Sequence, residues 1–217
     1  MFFEEHAKLL SDFARVSQAA GARADYVQGG GGNTSVKLPG GLMAIKASGF
    51  CLSDIRPDKA YVVLDGADLR NFYLTTEPSA LADVEKEGSA RAKDDIRHID
   101  GLADLRPSVE AGFHSILKTF VVHTHSVYAN LAACSTACRP IAAQAFAGAN
   151  YTWGWVPYTD PGANLTFAIR DELRRVEKET GKVPSVILMQ NHGIIVHDDD
   201  PDTALAIHTD ANERLAR

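Results

Sequence analysis

The sequence lacks several features that would by themselves define a class of protein. It contains three cysteines, an odd number without zinc-ribbon spacing, so a disulfide framework is not expected. Cys134 and Cys138 are expected to be buried small side chains. No apolar run approaches the ~20 residues of a membrane span, and the N-terminus has acids where a signal peptide has bases. We therefore expect a cytoplasmic protein that does not associate with membranes.

A net positive charge is also missing. The formal charge is -6 and the isoelectric point is near 5.7, so the chain has no general basic field. Binding to nucleic acid or to an anionic membrane surface is disfavoured on this ground, and any anionic ligand must be held by local groups. The 217 residues, 45% of them hydrophobic, suffice for a full core, and we predict a single domain over residues 1–217.

The spacing of apolar residues predicts a mixture of helices and strands. Helices are predicted over the first twenty residues, over 77–91, 126–134 and 161–180, and onward from the N-cap candidates Ser108 and Asp200. Strands are predicted on both sides of the turn at residues 39–41 and over 60–64, 119–126, 151–158, 185–189 and 194–197. This order indicates an α/β fold with a mostly antiparallel central sheet.

Two histidines separated by one residue end the apolar run at 119–126. Side chains alternate along a strand, so His123 and His125 are expected on one face, in a geometry that can chelate a metal. His192 follows the predicted strand at 185–189 and could complete a three-histidine site with a position open for water or substrate. The alternative is that each histidine is a hydrogen-bonded core residue.

Four consecutive glycines, residues 29–32, precede the first predicted strand. They could form a flexible link. A loop whose backbone N–H groups approach a phosphate would also need glycines, and its place inside a compact domain favours this anion-binding interpretation.

Glu110 follows Ser108 and is expected in the first turn of a helix. A carboxylate there could simply complement the helix dipole. It could also serve as a general acid or base if a metal site lies nearby.

Five short motifs in this order resemble the class II aldolase/adducin family, which includes fuculose-phosphate and rhamnulose-phosphate aldolases. They are Gly32-Asn33-Thr34-Ser35-Val36-Lys37, Ala47-Ser48-Gly49, Pro107-Ser108-Val109-Glu110, His123-Thr124-His125 and Asn191-His192-Gly193. The match extends over nearly the whole chain. Each motif alone has low specificity, but five at compatible spacing are difficult to obtain by chance.

This resemblance implies a three-layer α/β/α sandwich around a mostly antiparallel mixed sheet. It implies zinc or another divalent metal held by His123, His125 and His192, with Glu110 as the catalytic acid–base. Gly32, Asn33, Ser48, Gly49 and Ser108 would surround the phosphate of a small phosphorylated sugar. It also implies a homotetramer with sites near subunit boundaries.

The chemistry implied by the resemblance is cleavage of a ketose 1-phosphate to dihydroxyacetone phosphate and an aldehyde. Such a cleavage leaves an enediolate, whose charge a Lewis-acidic metal can stabilise while a carboxylate handles the proton. The alternatives within the family are a pentulose-phosphate 4-epimerase, a sugar-acid-phosphate decarboxylase and a non-catalytic adducin-like binding module. The epimerase typically has aspartate where this chain has Glu110, and the adducin-like module lacks the metal ligands.

The chain also departs from the family pattern. Val109 follows Ser108 where the fuculose-phosphate enzyme has a second serine, so one phosphate-binding hydroxyl is missing. Lys46 and Lys37 are candidates to replace it. The tyrosine that family aldolases supply from a neighbouring subunit has no clear counterpart, and Tyr151 is the candidate.

Overall fold

A computed structural model describes residues 1–217 and has one eight-stranded sheet at its centre. The strands are β1 (Asn33–Lys37), β2 (Leu42–Lys46), β3 (Tyr61–Asp65), β4 (Ile96–Arg97), β5 (Phe120–Thr124), β6 (Trp153–Val156), β7 (Val186–Met189) and β8 (Gly193–Asp198). Their order is β4-β3-β2-β1-β5-β8-β7-β6. Only β6 and β7 pair in parallel, which confirms the predicted α/β fold with a mostly antiparallel sheet.

Nine α-helices flank this sheet. They are α1 (Phe2–Glu5), α2 (Ala7–Gly21), α3 (Gly66–Thr75), α4 (Val84–Asp94), α5 (Ala111–Ile116), α6 (Val127–Ala133), α7 (Cys138–Ala145), α8 (Ala163–Thr180) and α9 (Pro201–Leu215). Residues of α3, α5 and α8 pack on one face of the sheet, and residues of α2, α6, α7 and α9 pack on the other. The three-layer arrangement is therefore present.

The alternation of side chains along β5 explains how one strand serves both layers. Phe120 and Val122 belong to the core beneath α2 and α9, whereas Val121 belongs to the core beneath α5 and α8. His123 has the same parity as Val121, and its ring packs edge-on against Phe113 of α5. The histidine pair therefore lies on the face of the sheet that α5 and α8 cover.

Most elements lie close to their predicted positions, but two helix predictions were wrong. Residues 77–83 are not α-helical, because Pro78 opens a short 3-10 turn and α4 begins only after Asp83, whose side chain caps Lys86 N at 3.0 Å. Ser108 is not an N-cap, since Pro107 bridges to Ala47 in extended conformation and the helix starts at Ala111. Elements α3, α7 and β4 were not predicted.

Two further sequence expectations have structural outcomes. Cys138 is buried as expected, but Cys134 is exposed, so its predicted burial was wrong. Among the helices, none combines the length and the apolar character that crossing a membrane would require.

Candidate active site

His123, His125 and His192 converge at one edge of the sheet. His123 lies near the end of β5, His125 lies just beyond it, and His192 lies in the turn between β7 and β8. Their ring centroids are 4.9 to 5.2 Å apart. One potential ligand atom from each ring lies within 4.8 Å of the others. The prediction that these three side chains lie close together is therefore confirmed.

The turn that carries His192 is held by backbone hydrogen bonds. Gln190 N donates to Val156 O at 2.9 Å, and His192 N donates to Met189 O at 3.2 Å. Asn191 between them adopts a left-handed conformation with φ of 55°, which asparagine tolerates better than most residues. At Gly193, a Cβ atom would lie 2.3 Å from Thr124 O, so only glycine allows β8 to approach β5 this closely. These constraints direct His192 toward β5.

The free ring nitrogens make this cluster suitable for a metal ion. His123 Nδ1 donates to Ile194 O at 3.0 Å, which leaves Nε2 as the nitrogen with a lone pair. His123 Nε2 and His125 Nε2 are buried and have no hydrogen-bond partner. Burial lowers the pKa of His123 to about 3, so its imidazole is in the neutral form that binds metals. A zinc-like divalent ion would satisfy these otherwise unpaired atoms.

Glu110 occupies the N-cap position of α5 and is 6% exposed. Its Oε1 atom lies 3.0 Å from His192 Nε2, and its Oε2 atom lies 3.7 Å from His123 Nε2. Burial alone would raise the pKa of this carboxyl, but the combined effect of His123, His192 and Asn33 lowers it well below the ordinary value. The group is therefore an ionised carboxylate directly beside the histidines, which dipole complementation alone would not require.

Asn33 links the Glu110 carboxylate to the His114 ring of α5. Its Nδ2 atom donates to Glu110 Oε2 at 2.5 Å and to Ser108 Oγ at 3.2 Å. Because its Oδ1 atom can only accept, the adjacent His114 Nε2 must be the donor, and His114 Nδ1 then accepts from Ser35 Oγ at 2.7 Å. The structure thus places Asn33 as a support for Glu110, a role that sequence reasoning missed because His114 comes from a distant segment.

The remaining residues predicted around a phosphate lie along one side of this centre. At Gly32, φ is 70° and a Cβ atom would lie 2.6 Å from His123 O, so the glycine loop passes close to the histidines. Ser48 and Gly49 are exposed in a turn that is joined to the Ser108 segment by the hydrogen bond from Ser48 N to Arg106 O at 2.9 Å. Ser108 Oγ accepts from Glu110 N at 3.2 Å.

A cavity of about 410 Å³ opens beside Ser48 and Ser108. Two cationic residues that the sequence analysis did not identify, Lys93 and Arg106, also line it, as does Val109. Val109 is 69% exposed. The histidines are not among the lining residues, so the cavity lies next to the histidine cluster and does not contain it.

The lysines considered as replacements for the missing hydroxyl lie in different places. Lys46 is buried next to the glycine loop, and its Nζ donates to Phe50 O at 2.7 Å and to Gly30 O at 3.4 Å. Lys37 Nζ instead donates to His114 O, at the other end of β1 from Asn33. Tyr151, the candidate tyrosine, donates to Asp210 at 2.9 Å and packs on Phe146.

Comparison with protein-family models identifies the chain's family. Residues 11–217 match the model of the class II aldolase and adducin N-terminal domain. The chain belongs to this family, as its sequence motifs indicated. A search of curated proteins found no match.

Solved structures share this fold at low sequence identity. The N-terminal class II aldolase domain of a conserved protein from Thermoplasma acidophilum is 20% identical, with a TM-score of 0.76 over 94% of this chain and 91% of the other. An L-fuculose 1-phosphate aldolase is 18% identical, with a TM-score of 0.62 over 97% and 84%. A sugar-phosphate aldolase from Thermotoga maritima is 15% identical, with a TM-score of 0.62 over 97% and 94%.

Proposed function

We propose that this protein is a metal-dependent class II aldolase acting on a small phosphorylated ketose of the fuculose or rhamnulose 1-phosphate type. It would cleave the ketose reversibly to dihydroxyacetone phosphate and an aldehyde. The observation that carries this proposal is the convergence of three histidines within 4.8 Å, with the Glu110 carboxylate 3.0 Å from one of them. Family membership supports the same reaction class.

His123, His125 and His192 would hold a divalent metal ion, for which zinc is the leading candidate. When bound, such an ion supplies Lewis-acid stabilisation of negative charge on substrate oxygens. The rigid attachment of the histidines to β5 and to the β7–β8 turn fixes their positions before substrate binds. Burial of His123 keeps its ring neutral and competent as a ligand.

Glu110 would move the proton in this reaction. It is ionised and buried, and Asn33 fixes one of its oxygens at 2.5 Å. Its other oxygen, Oε1, lies 3.0 Å from His192 Nε2 without a hydrogen bond of acceptable geometry, and it would be the oxygen that exchanges a proton with a substrate carbon or oxygen. A buried base held on the N-cap of a short helix needs little reorganisation before proton transfer.

The substrate phosphate would bind among Gly32, Asn33, Ser48, Gly49 and Ser108. Ser108 Oγ already accepts from Asn33 and Glu110, so its own proton is free to point toward a phosphate oxygen. Asn33 would act here chiefly by orienting Ser108 and Glu110. Arg106 and Lys93 on the adjoining cavity wall would supply the positive charge that an acidic chain otherwise lacks, in place of the hydroxyl missing at Val109.

The decisive experiment combines metal analysis with a screen of ketose 1-phosphates for release of dihydroxyacetone phosphate. Glu110→Gln should keep the fold and the metal and lower turnover by roughly two to four orders of magnitude. If Glu110 only complements the helix dipole, the variant would keep full turnover and lose at most ~1 kcal/mol of stability. That result would remove the base from the proposed mechanism. Epimerised or decarboxylated products without aldol cleavage would also contradict the aldolase assignment.

The assembly and location of the enzyme are part of the same proposal. We propose one domain over residues 1–217, a homotetramer and a cytoplasmic location, in line with the family resemblance. Light scattering of the purified protein tests the tetramer, and a monomer with full turnover would contradict it.

A further inference from the structure

A second cavity, of about 330 Å³, lies on the same face of the sheet as the histidines but at the other end of β8. It shares no lining residue with the cavity at Ser108. His197 lines it and lies five residues beyond His192, a separation of roughly 16 Å along a strand. We call it the basic cavity and define it by Arg70, Lys118, Arg170, Arg174, Glu177 and His197.

The lining of the basic cavity concentrates positive charge in a chain whose net charge is -6. Arg70 is exposed and forms no ion pair, and its one hydrogen bond goes to Ser115 O at 3.2 Å. Arg174 is 52% exposed, and its contact with Asp171 is long at 3.9 Å. Cations without close carboxylate partners at the mouth of a cavity are available to an anionic ligand.

The two innermost groups add specific hydrogen-bonding capacity. Arg170 is 3% exposed, and its hydrogen bonds use Nε and Nη1, which leaves Nη2 available. His197 is 1% exposed, and neither of its ring nitrogens makes a hydrogen bond of acceptable geometry, although the Pro184 carbonyl is near the ring. A buried imidazole without partners is costly unless a ligand or water satisfies it.

One more lysine, Lys37, is partly buried and lies next to Arg70 and Lys118. Lys37 Nζ donates only to a backbone carbonyl, that of His114, and has no carboxylate partner. Burial and the charge of Arg70 both lower the pKa of Lys37. An anion bound near Arg70 would offset this repulsion. Lys118, in contrast, is paired with Asp198 at 2.9 Å and contributes less.

From these observations we propose that the basic cavity is an anion site that binds the phosphate group of a small molecule. Arg70 and Arg174 would provide the charged contacts at the mouth, and Arg170 and His197 would complete the hydrogen bonds at the floor. The inference does not depend on the proposed aldolase activity, because none of these residues contacts the histidine centre.

Methyl NMR on the metal-loaded full chain tests this site directly. Ile116 and Val183 line the basic cavity, so their methyl signals report on its occupancy. One titration uses inorganic phosphate and another uses glycerol 3-phosphate. We expect both methyl signals to shift in a saturable way, and binding of the ester as well as the free ion identifies a phosphorylated molecule as the ligand. Saturation by inorganic phosphate alone would identify free phosphate.

Charge variants separate this site from general ion binding. Arg70→Gln/Arg174→Gln should weaken binding at these methyls by about tenfold or more, since hydrogen bonds to charged groups are lost. Lys8→Gln/Arg139→Gln, which removes the same charge elsewhere, should bind as the parent protein does. If the double variant misfolds, the single variant Arg174→Gln, at a half-exposed position, replaces it. Unmoved methyl signals, or equal weakening in the control, would overturn the proposal.

Discussion

The two ends of strand β8 place the same residue type in opposite surroundings. At one end, His192 faces His123, His125 and the Glu110 carboxylate. At the other, His197 lines a cavity with three arginines, one lysine, Glu177 and no second imidazole. Both histidines lie at an end of the same strand, so the residues around each one determine the chemistry that it can support. One end can hold a cation, and the other can hold an anion.

The elements that bring these neighbours differ as well. The histidine end is assembled from β5, the β7–β8 turn and the start of α5, all joined by sheet pairing. The basic cavity depends on α3 and α8, which contribute Arg70 and Arg174 across the layer interface. Helix α5 joins the two, since Glu110 is its N-cap and its last residue, Ile116, lines the basic cavity.

The largest effect is expected from removing His123, and removal of His197 at the other end of β8 is the comparison. His123→Ala should reduce bound metal from about one ion per chain to nearly none, because two ligands rarely retain zinc. His197→Phe should retain the metal, since His197 is remote from the centre. Elemental analysis of both purified variants measures this, with the exposed His98→Ala as a control. Full metal content in His123→Ala would mean that the histidines are core residues only.

A smaller effect is expected from removing the Asn33 side chain, which holds the Glu110 carboxylate. Asn33→Ala should lower turnover by roughly 10- to 100-fold with metal retained, because outer hydrogen-bond partners tune a site by about this amount. Ser35→Ala is the matched variant on the same strand, since it removes a hydrogen bond to His114 without touching Glu110. Turnover and melting temperature are measured for both. Equal losses in the two variants would argue against a specific role for Asn33.

The pH dependence of stability tests the surroundings of His197, at the other end of β8. Burial, with Lys37 and Lys118, lowers the pKa of His197 to about 3. The unfolded chain, with an ordinary pKa near 6.5, takes up this proton first, so stability present above about pH 6.5 is lost as the pH falls toward 3. His197→Phe should therefore lose about 2 kcal/mol less than the parent between pH 7 and pH 5.

Denaturant unfolding in phosphate-free buffer at several pH values measures this difference. The charged groups near His197 are Lys37, Arg70, Lys118, Arg170, Arg174, Glu177, Asp198 and Asp199. His98→Phe serves as the exposed control and should follow the parent. A His197→Phe profile parallel to the parent profile would mean that His197 titrates normally in the folded protein.

The smallest effect is expected at Val109. Val109→Ser restores a hydroxyl beside Ser108 and should strengthen competitive inhibition by inorganic phosphate by roughly twofold to tenfold, the contribution of one hydrogen bond. Val109→Ala controls for the loss of bulk. Competitive inhibition of turnover reports on phosphate bound at the histidine end and not on phosphate bound in the basic cavity. No change in Val109→Ser would indicate that Arg106 or Lys46 already provides the contact.

Much of the histidine end could be predicted because its residues follow local rules. Alternation along a strand places His123 near His125, and an apolar run followed by a turn places His192 at a strand end. Ser108 was misplaced as an N-cap because sequence alone does not reveal that Pro107 pairs with Ala47. The same pairing shifts the helix start to Ala111 and leaves Glu110 at the N-cap.

The α/β class, most strands and the set of histidines could be predicted from the sequence, since periodicity and turn residues depend on neighbours along the chain. The hydrogen bonds from Asn33 to Glu110 and His114, residues 77 and 81 positions away, are visible only in the folded chain. The basic cavity, whose residues extend from Arg70 to His197 without any motif, is likewise assembled only in the folded chain. Contacts between distant segments depend on how layers pack, and no local pattern encodes that.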